Sequence, residues 1–241
     1  MDSQAALAPE PAFALGDDFS VSPEIFAYFA GRAAEAANVN DRAWADFAAA
    51  FACEACFDGK KQVVEDTAFR AVGGGQTRIL NFIRELCAQT TPRHLGTSLF
   101  DAWTYSDPPP SLRWDSTEYR PYALRATDPA PDQNNKVRGA NRLAIEALPL
   151  FPVMPSGSRR LRLATTGFRR HEITWPIWKT PLSQDTVRSL LALGELQDDK
   201  PDRTKLALMG VAQAMRSRRF TGPVSELCSR CFSWLKTGAD P

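Results

Sequence analysis

Histidine is scarce in this chain. Of 241 residues only His94 and His171 are histidines, and neither belongs to a metal-ligand spacing. No Gly-x-Ser-x-Gly elbow is present, and no glycine-rich loop ends in Gly-Lys-Ser/Thr. Serine-hydrolase and P-loop chemistry therefore lose their signatures. No apolar run approaches the ~20 residues that span a bilayer. Cysteine is sparse and odd in number, five in all. The start, Met1 to Gly16, is Ala/Pro-rich and acidic, without a basic opening or a long apolar centre. It reads as a flexible tail rather than a signal peptide, so a reducing cytoplasm is the expected compartment and no membrane partner is expected.

Charge segregation is what the chain does have. Between Lys136 and Lys179 lie nine basic residues, Lys136, Arg138, Arg142, Arg159, Arg160, Arg162, Arg169, Arg170 and Lys179, against Glu146 and Glu172 alone. The first sixty residues carry ten acids and three bases, so a net charge of +1 conceals an acidic front and an Arg-dominated middle. Such asymmetry points to a polyanion, most simply nucleic acid. Arginine outnumbers lysine seven to two in this stretch, and its planar fork suits phosphate or guanine. The plainer alternative is a solvated face, or a patch that complements an acidic protein surface.

Four parts are expected: a tail over 1–20, a helical part over 21–105, a mixed basic part over 106–180 and a helical part over 181–241, in one continuous domain. The fold class is α+β, with helical ends flanking a short-stranded, proline-rich middle; eighteen prolines argue against an all-helical protein. Ser22-Pro23-Glu24 and Ser183 are helix starts. Trp44, Phe47 and Phe51 suit a second helix, and Ile79, Ile83 and Leu86 a third that begins near Thr77. Another helix runs from about Val137 to Leu148. Arg160 to Leu163 alternates as a strand should, with leucines inward and arginines outward about 6–7 Å apart, near the spacing of successive phosphates. His171 to Trp178 reads as a strand with Ile173, Trp175 and Ile177 on one face, and Pro176 assigns it to an edge. Gly194 is the expected stop of the helix after Ser183. Leu208, Val211 and Met215 suggest a helix, as do Val224 to Leu235.

Several motifs offer chemistry. Cys53-x-x-Cys56 and Cys228-x-x-Cys231 would make a four-thiolate zinc site if they met, but both fall in helical patterns where cysteine acts as a small hydrophobe, so no metal or other cofactor is expected. Asp58-Gly59-Lys60 and Asp198-Asp199-Lys200 fit the tripeptide of metal-dependent nucleases, yet both sit in charged runs typical of solvated loops. Gly73-Gly74-Gly75 precedes a helix; Gln76 and Arg78 there are placed to assist a phosphate contact, the alternative being a plain turn. Asn134 and Asn135, beside Lys136, can bond base edges or simply form a turn. Trp103, Trp114, Trp175 and Trp178 lie among aliphatics, which favours core packing over base stacking.

Ser111-Leu112-Arg113-Trp114-Asp115, Tyr122-Ala123-Leu124-Arg125 and Val137-Arg138-Gly139-Ala140-Asn141-Arg142-Leu143-Ala144 share a cadence with Leu148-Pro149-Leu150-Phe151-Pro152, Thr165-Thr166-Gly167-Phe168 and Thr174-Trp175-Pro176-Ile177-Trp178. Over about residues 60 to 195 this resembles a subunit of type I CRISPR-Cas effector complexes, of subtype I-G (formerly I-U) or a related system. The resemblance implies a non-enzymatic component of an RNA-guided surveillance complex, with target DNA or guide RNA and other effector subunits as partners. Guide pairing would then carry sequence specificity. The expected nucleic-acid contacts are Lys136, Arg138, Arg142, Arg159, Arg160, Arg162, Arg169, Arg170, Gln76, Arg78, Asn134 and Asn135. If six phosphates were neutralised, affinity would fall on the order of a thousandfold between about 50 and 200 mM salt. A protein–protein adaptor, and more remotely a metal-dependent nuclease, are the alternatives.

Overall fold

A computed structural model describes residues 20–70, 79–112, 114–115, 136–169 and 172–218. Gln76, Arg78, Asn134, Asn135, Arg170, His171, Cys228 and Cys231 lie outside them, as do the tail and the last expected helix. The described residues form a mixed α+β structure of eight α-helices and small antiparallel sheets. They fall into two compact units, the first ending at Thr165 and the second starting at Thr166. That boundary cuts through the segment over 106–180.

In the first unit, α1 (Pro23–Asn38) starts where Ser22 Oγ accepts the Ile25 N–H at 3.4 Å. Next come α2 (Ala43–Phe51), the hairpin β1 (Ala52–Asp58) and β2 (Val63–Asp66), then α3 (Ile79–Gln89) and α4 (Pro92–Phe100). Helix α5 (Arg138–Glu146) leads through a 3-10 turn at Leu148–Leu150 into a second hairpin, β3 (Val153–Ser156) and β4 (Arg162–Thr165). Val21, Phe26, Ala52, Val64, Ile79, Leu86, Leu112 and Ile145 form its core, flanked by Phe29, Phe47, Phe51 and Trp114. Trp114 donates its indole N–H to the Phe69 carbonyl at 2.6 Å, as a core tryptophan should. Trp103 and Trp178, by contrast, keep large exposed areas. Small residues let α5 come close to α4, since a Cβ on Gly139 would lie 2.1 Å from the His94 carbonyl oxygen. Asn141, buried on α5, accepts the Leu112 N–H and ties the proline-rich stretch to this helix.

The second unit holds β5 (Phe168–Arg169), β6 (Glu172–Trp178), α6 (Gln184–Leu191), α7 (Gly194–Gln197), α8 (Arg203–Leu208) and β7 (Val211–Arg218). Its sheet has the order β5-β6-β7, all antiparallel. Leu190, Leu196, Leu206 and Val211 form the core, with Leu182, Leu193 and Ala214 packed on them.

The structure corrects several expectations about these elements. Cys53 and Cys56 lie on a strand, because α2 stops at Phe51. Val211 and Met215 also lie on a strand, which the chain enters from a turn at Met209-Gly210, and a register shift near Val211 leaves Val211 buried and Met215 exposed. Strand β6 stands between two neighbours, although its Pro176 half pairs only with β7. The buried positions of β6 are Thr174 and Pro176, while Ile177 is exposed. Gly194 opens the short α7 instead of ending α6, which stops at Leu191. Strands also occur outside the middle, as β1–β2 and β7 show.

Candidate nucleic-acid interface

Two hairpin loops of the first unit meet. The β1–β2 loop is closed by Gln62 N–H donating to the Asp58 carbonyl at 2.7 Å, while Gln62 Nε2 donates to the Gly59 carbonyl at 2.6 Å. Asp58 Oδ1 accepts the Lys60 N–H at 2.9 Å, a short-range carboxylate turn suited to Asp-Gly. This backbone N–H holds the Asp58 carboxyl below the usual carboxylate range. Its contribution to the turn is present above the unfolded carboxylate value of about 3.9 and is lost as pH falls through the lower folded value. The loop thereby presents Lys60 and Lys61 outward, both exposed.

The β3–β4 loop supplies the rest. Ser156 and Arg162 are its closing pair, and Gly157 takes a φ of +112° beside the Arg160 carbonyl. Arg159, Arg160, Leu161 and Arg162 are all exposed. Arg160 and Leu161 belong to the loop, so regular alternation starts only at Arg162, and Leu161 points to solvent rather than inward.

Glu65 on β2 links the hairpins. Its carboxylate accepts from Arg162 Nη1 at 2.7 Å and from the Leu163 N–H at 2.9 Å, and it stands 4.0 Å from Arg160 Nη2. Arg160 Nη2 also reaches the Phe57 carbonyl at 3.5 Å. Lys60, Lys61, Arg160 and Arg162 thus gather around Asp58 and Glu65, and Arg159, exposed next to Arg160 on the β3–β4 loop, brings the cations of the two loops to five. One of the five, Arg162, is held by a carboxylate at hydrogen-bond distance. A cleft of about 360 Å³ lies between the loops, lined by Ala55, Phe57, Asp58, Gly59, Lys60, Arg160 and Leu161.

The other described candidates of the first unit sit elsewhere in it. Lys136 is buried, and its backbone bridges to Asp107 in both directions. Arg138 begins α5, donates from Nη2 to the Pro108 carbonyl at 3.4 Å and has its Nε buried. Arg142 pairs with Glu146 one turn along the same helix. Arg169 belongs to the second unit, where it pairs with Asp198 at 3.4 Å and donates to the Gln197 carbonyl.

The other chemistries find structural employment. Asp58 serves its own turn, while Asp198 and Asp199 pair with Arg169 and Arg216. His94 completes a capping box at the start of α4, its Nδ1 accepting the Thr91 N–H at 3.0 Å. Cys56 is buried beside Cys53, and burial pushes its thiol pKa up. Among the described residues no group of three or more His, Cys, Asp and Glu side chains is placed to hold a metal ion. None of the described helices is long and apolar enough to cross a membrane.

Sequence reasoning did not assign Lys60, Lys61, Phe57 or Leu161 to a nucleic-acid contact. The signal was Asp58-Gly59, a hairpin dipeptide between the β-compatible runs Ala52–Phe57 and Val63–Asp66. A search against family models, curated proteins and solved structures finds no match to this chain.

Proposed function

We propose that this protein is a non-catalytic nucleic-acid-binding subunit that grips the sugar-phosphate backbone of DNA or RNA with its paired hairpin loops. The observation that carries this reading is the meeting of two hairpin loops that bear Lys60 and Lys61 on one side and Arg159 and Arg160 on the other, all exposed and none held by a carboxylate at hydrogen-bond distance. Four exposed cations match the chemistry of phosphate neutralisation and counterion release. The sequence resemblance supports a setting within an RNA-guided CRISPR effector in the cytoplasm, where guide pairing reads sequence and this subunit reads backbone.

Binding of labelled single strands and duplexes, followed by fluorescence anisotropy, tests it. Four neutralised phosphates predict about a fiftyfold loss of single-strand affinity between about 50 and 200 mM salt. Affinity that does not change with salt, or no binding to DNA or RNA at low salt, overturns it. An adaptor reading draws on a separate observation: Leu99, Phe100 and Trp103 at the end of α4 are 59%, 85% and 48% exposed. Such a patch suits a protein neighbour, and a subunit of a larger assembly has use for both surfaces.

A further inference from the structure

Two large apolar side chains stand among the cations of the hairpin loops. Phe57 is 44% exposed and Leu161 43% exposed, and both line the cleft between the hairpin loops. No polar cross-strand neighbour forces Phe57 outward. Phe57 sits opposite Val64, which is buried at 3%. Fully burying an aromatic side chain is worth roughly 1.5–3 kcal/mol, so a phenylalanine left 44% exposed beside Lys60 and Arg160 calls for a reason.

The cleft supplies one. Its volume of about 360 Å³ lies at the small end of ligand sites, room for one planar ring system and unsuited to a duplex. Its walls offer an aromatic ring and a leucine. Lys60 and Arg160 line it too, in reach of a phosphate that follows the ring. Arg160 is steered there by the Phe57 carbonyl, and its guanidinium plane can itself stack on a base. Asp58 lines the same cleft, but its Oδ1 is engaged by the Lys60 N–H.

We infer that this cleft takes one unstacked base of a single-stranded nucleic acid, with Phe57 as the stacking surface and Lys60 and Arg160 on the flanking phosphates. The inference rests on the backbone-binding reading above and adds a preference to it. A duplex keeps its bases in the stack and presents only phosphates, so it gains the electrostatic term alone; a single strand gains stacking as well.

The experiment uses the full chain and strands of about 15 nucleotides, within the range of single-strand site sizes. Labelled oligo(dT), oligo(rU), an abasic strand with the same backbone, and a duplex are titrated at about 50 mM salt. The base-bearing strands are expected to bind about tenfold more tightly than the abasic strand. Phe57→Ala should erase that gap and Phe57→Trp should keep it, with thermal melts confirming that both variants fold. The dT and rU arms tell DNA from RNA.

Equal binding of abasic and base-bearing strands by the unaltered protein, or an unchanged gap in Phe57→Ala, overturns the stacking inference. If Lys60→Glu/Arg160→Glu still abolishes binding in that case, the backbone reading survives alone. If no strand or duplex binds, both fall. Capture by phosphatidylserine vesicles without nucleic-acid binding would reassign the apolar and basic loops to a lipid surface and overturn both as well.

Discussion

The hairpin loops of the first unit and the three-stranded sheet of the second use arginine in opposite ways. In the sheet, Arg216 is 15% exposed and fully engaged: Nε donates to Thr174 Oγ1 at 3.0 Å, Nη2 to the Asp198 carbonyl at 2.5 Å, and Glu172 and Asp199 stand 3.7 and 3.6 Å away. Arg169 meets the same acidic stretch. At the hairpin loops, Lys60, Lys61 and Arg159 are exposed, and Arg160 reaches the Phe57 carbonyl at 3.5 Å and stands 4.0 Å from the Glu65 carboxylate. A positive residue is therefore a binding group only where local acids leave it over. Counting charge along the chain does not distinguish these cases. Knowing which carboxylates the fold delivers does.

The largest effect should come from Lys60→Glu/Arg160→Glu. Reversing both cations removes two phosphate contacts and adds repulsion, so affinity for single strands should drop about a hundredfold near 50 mM salt while the melting curve holds. Next is Arg216→Ala. It removes one ion pair from Glu172, itself 15% exposed, and breaks two hydrogen bonds; about 2 kcal/mol of stability should be lost in denaturant titrations, with binding by the folded protein unchanged. Glu65→Gln sharpens the comparison at the loops. It frees Arg162, so affinity should rise a few-fold, while weakening of the tie to β4 costs about 1 kcal/mol. Arg169→Ala should do least: its partners Asp198 and Asp199 are well exposed, so stability should change by less than about 1 kcal/mol.

Much of the fold was legible in local chemistry. Ser22 and Ser183 cap the helices they announce, and the Ile79–Leu86 periodicity finds its buried face. Misreadings arose where two periods coincide. Val211 and Met215, four apart, satisfy helix and strand alike. Cys53 and Cys56, three apart, resemble a helical face because β1 is irregular between Ala52 and Phe57, with five steps along β1 opposing two along β2. The site was half legible. Arg159 and Arg160 were identified, but Lys60 and Lys61 come from a segment about a hundred residues earlier, a pairing that only tertiary folding creates. Lys136, Arg138 and Arg142 carry the same charge in sequence and are turned inward or paired by helix packing.

One comparison tests whether delivered charge, rather than total charge, governs binding. Lys60→Ala/Arg160→Ala and Arg142→Ala/Arg169→Ala remove the same two positive charges from different places. The logarithmic salt dependence of single-strand affinity is measured for both beside the unaltered protein. The hairpin variant should lose about 1.4 from the slope, two contacts at roughly 0.7 each, and the other variant should lose nothing. Equal losses from the two variants would contradict the account.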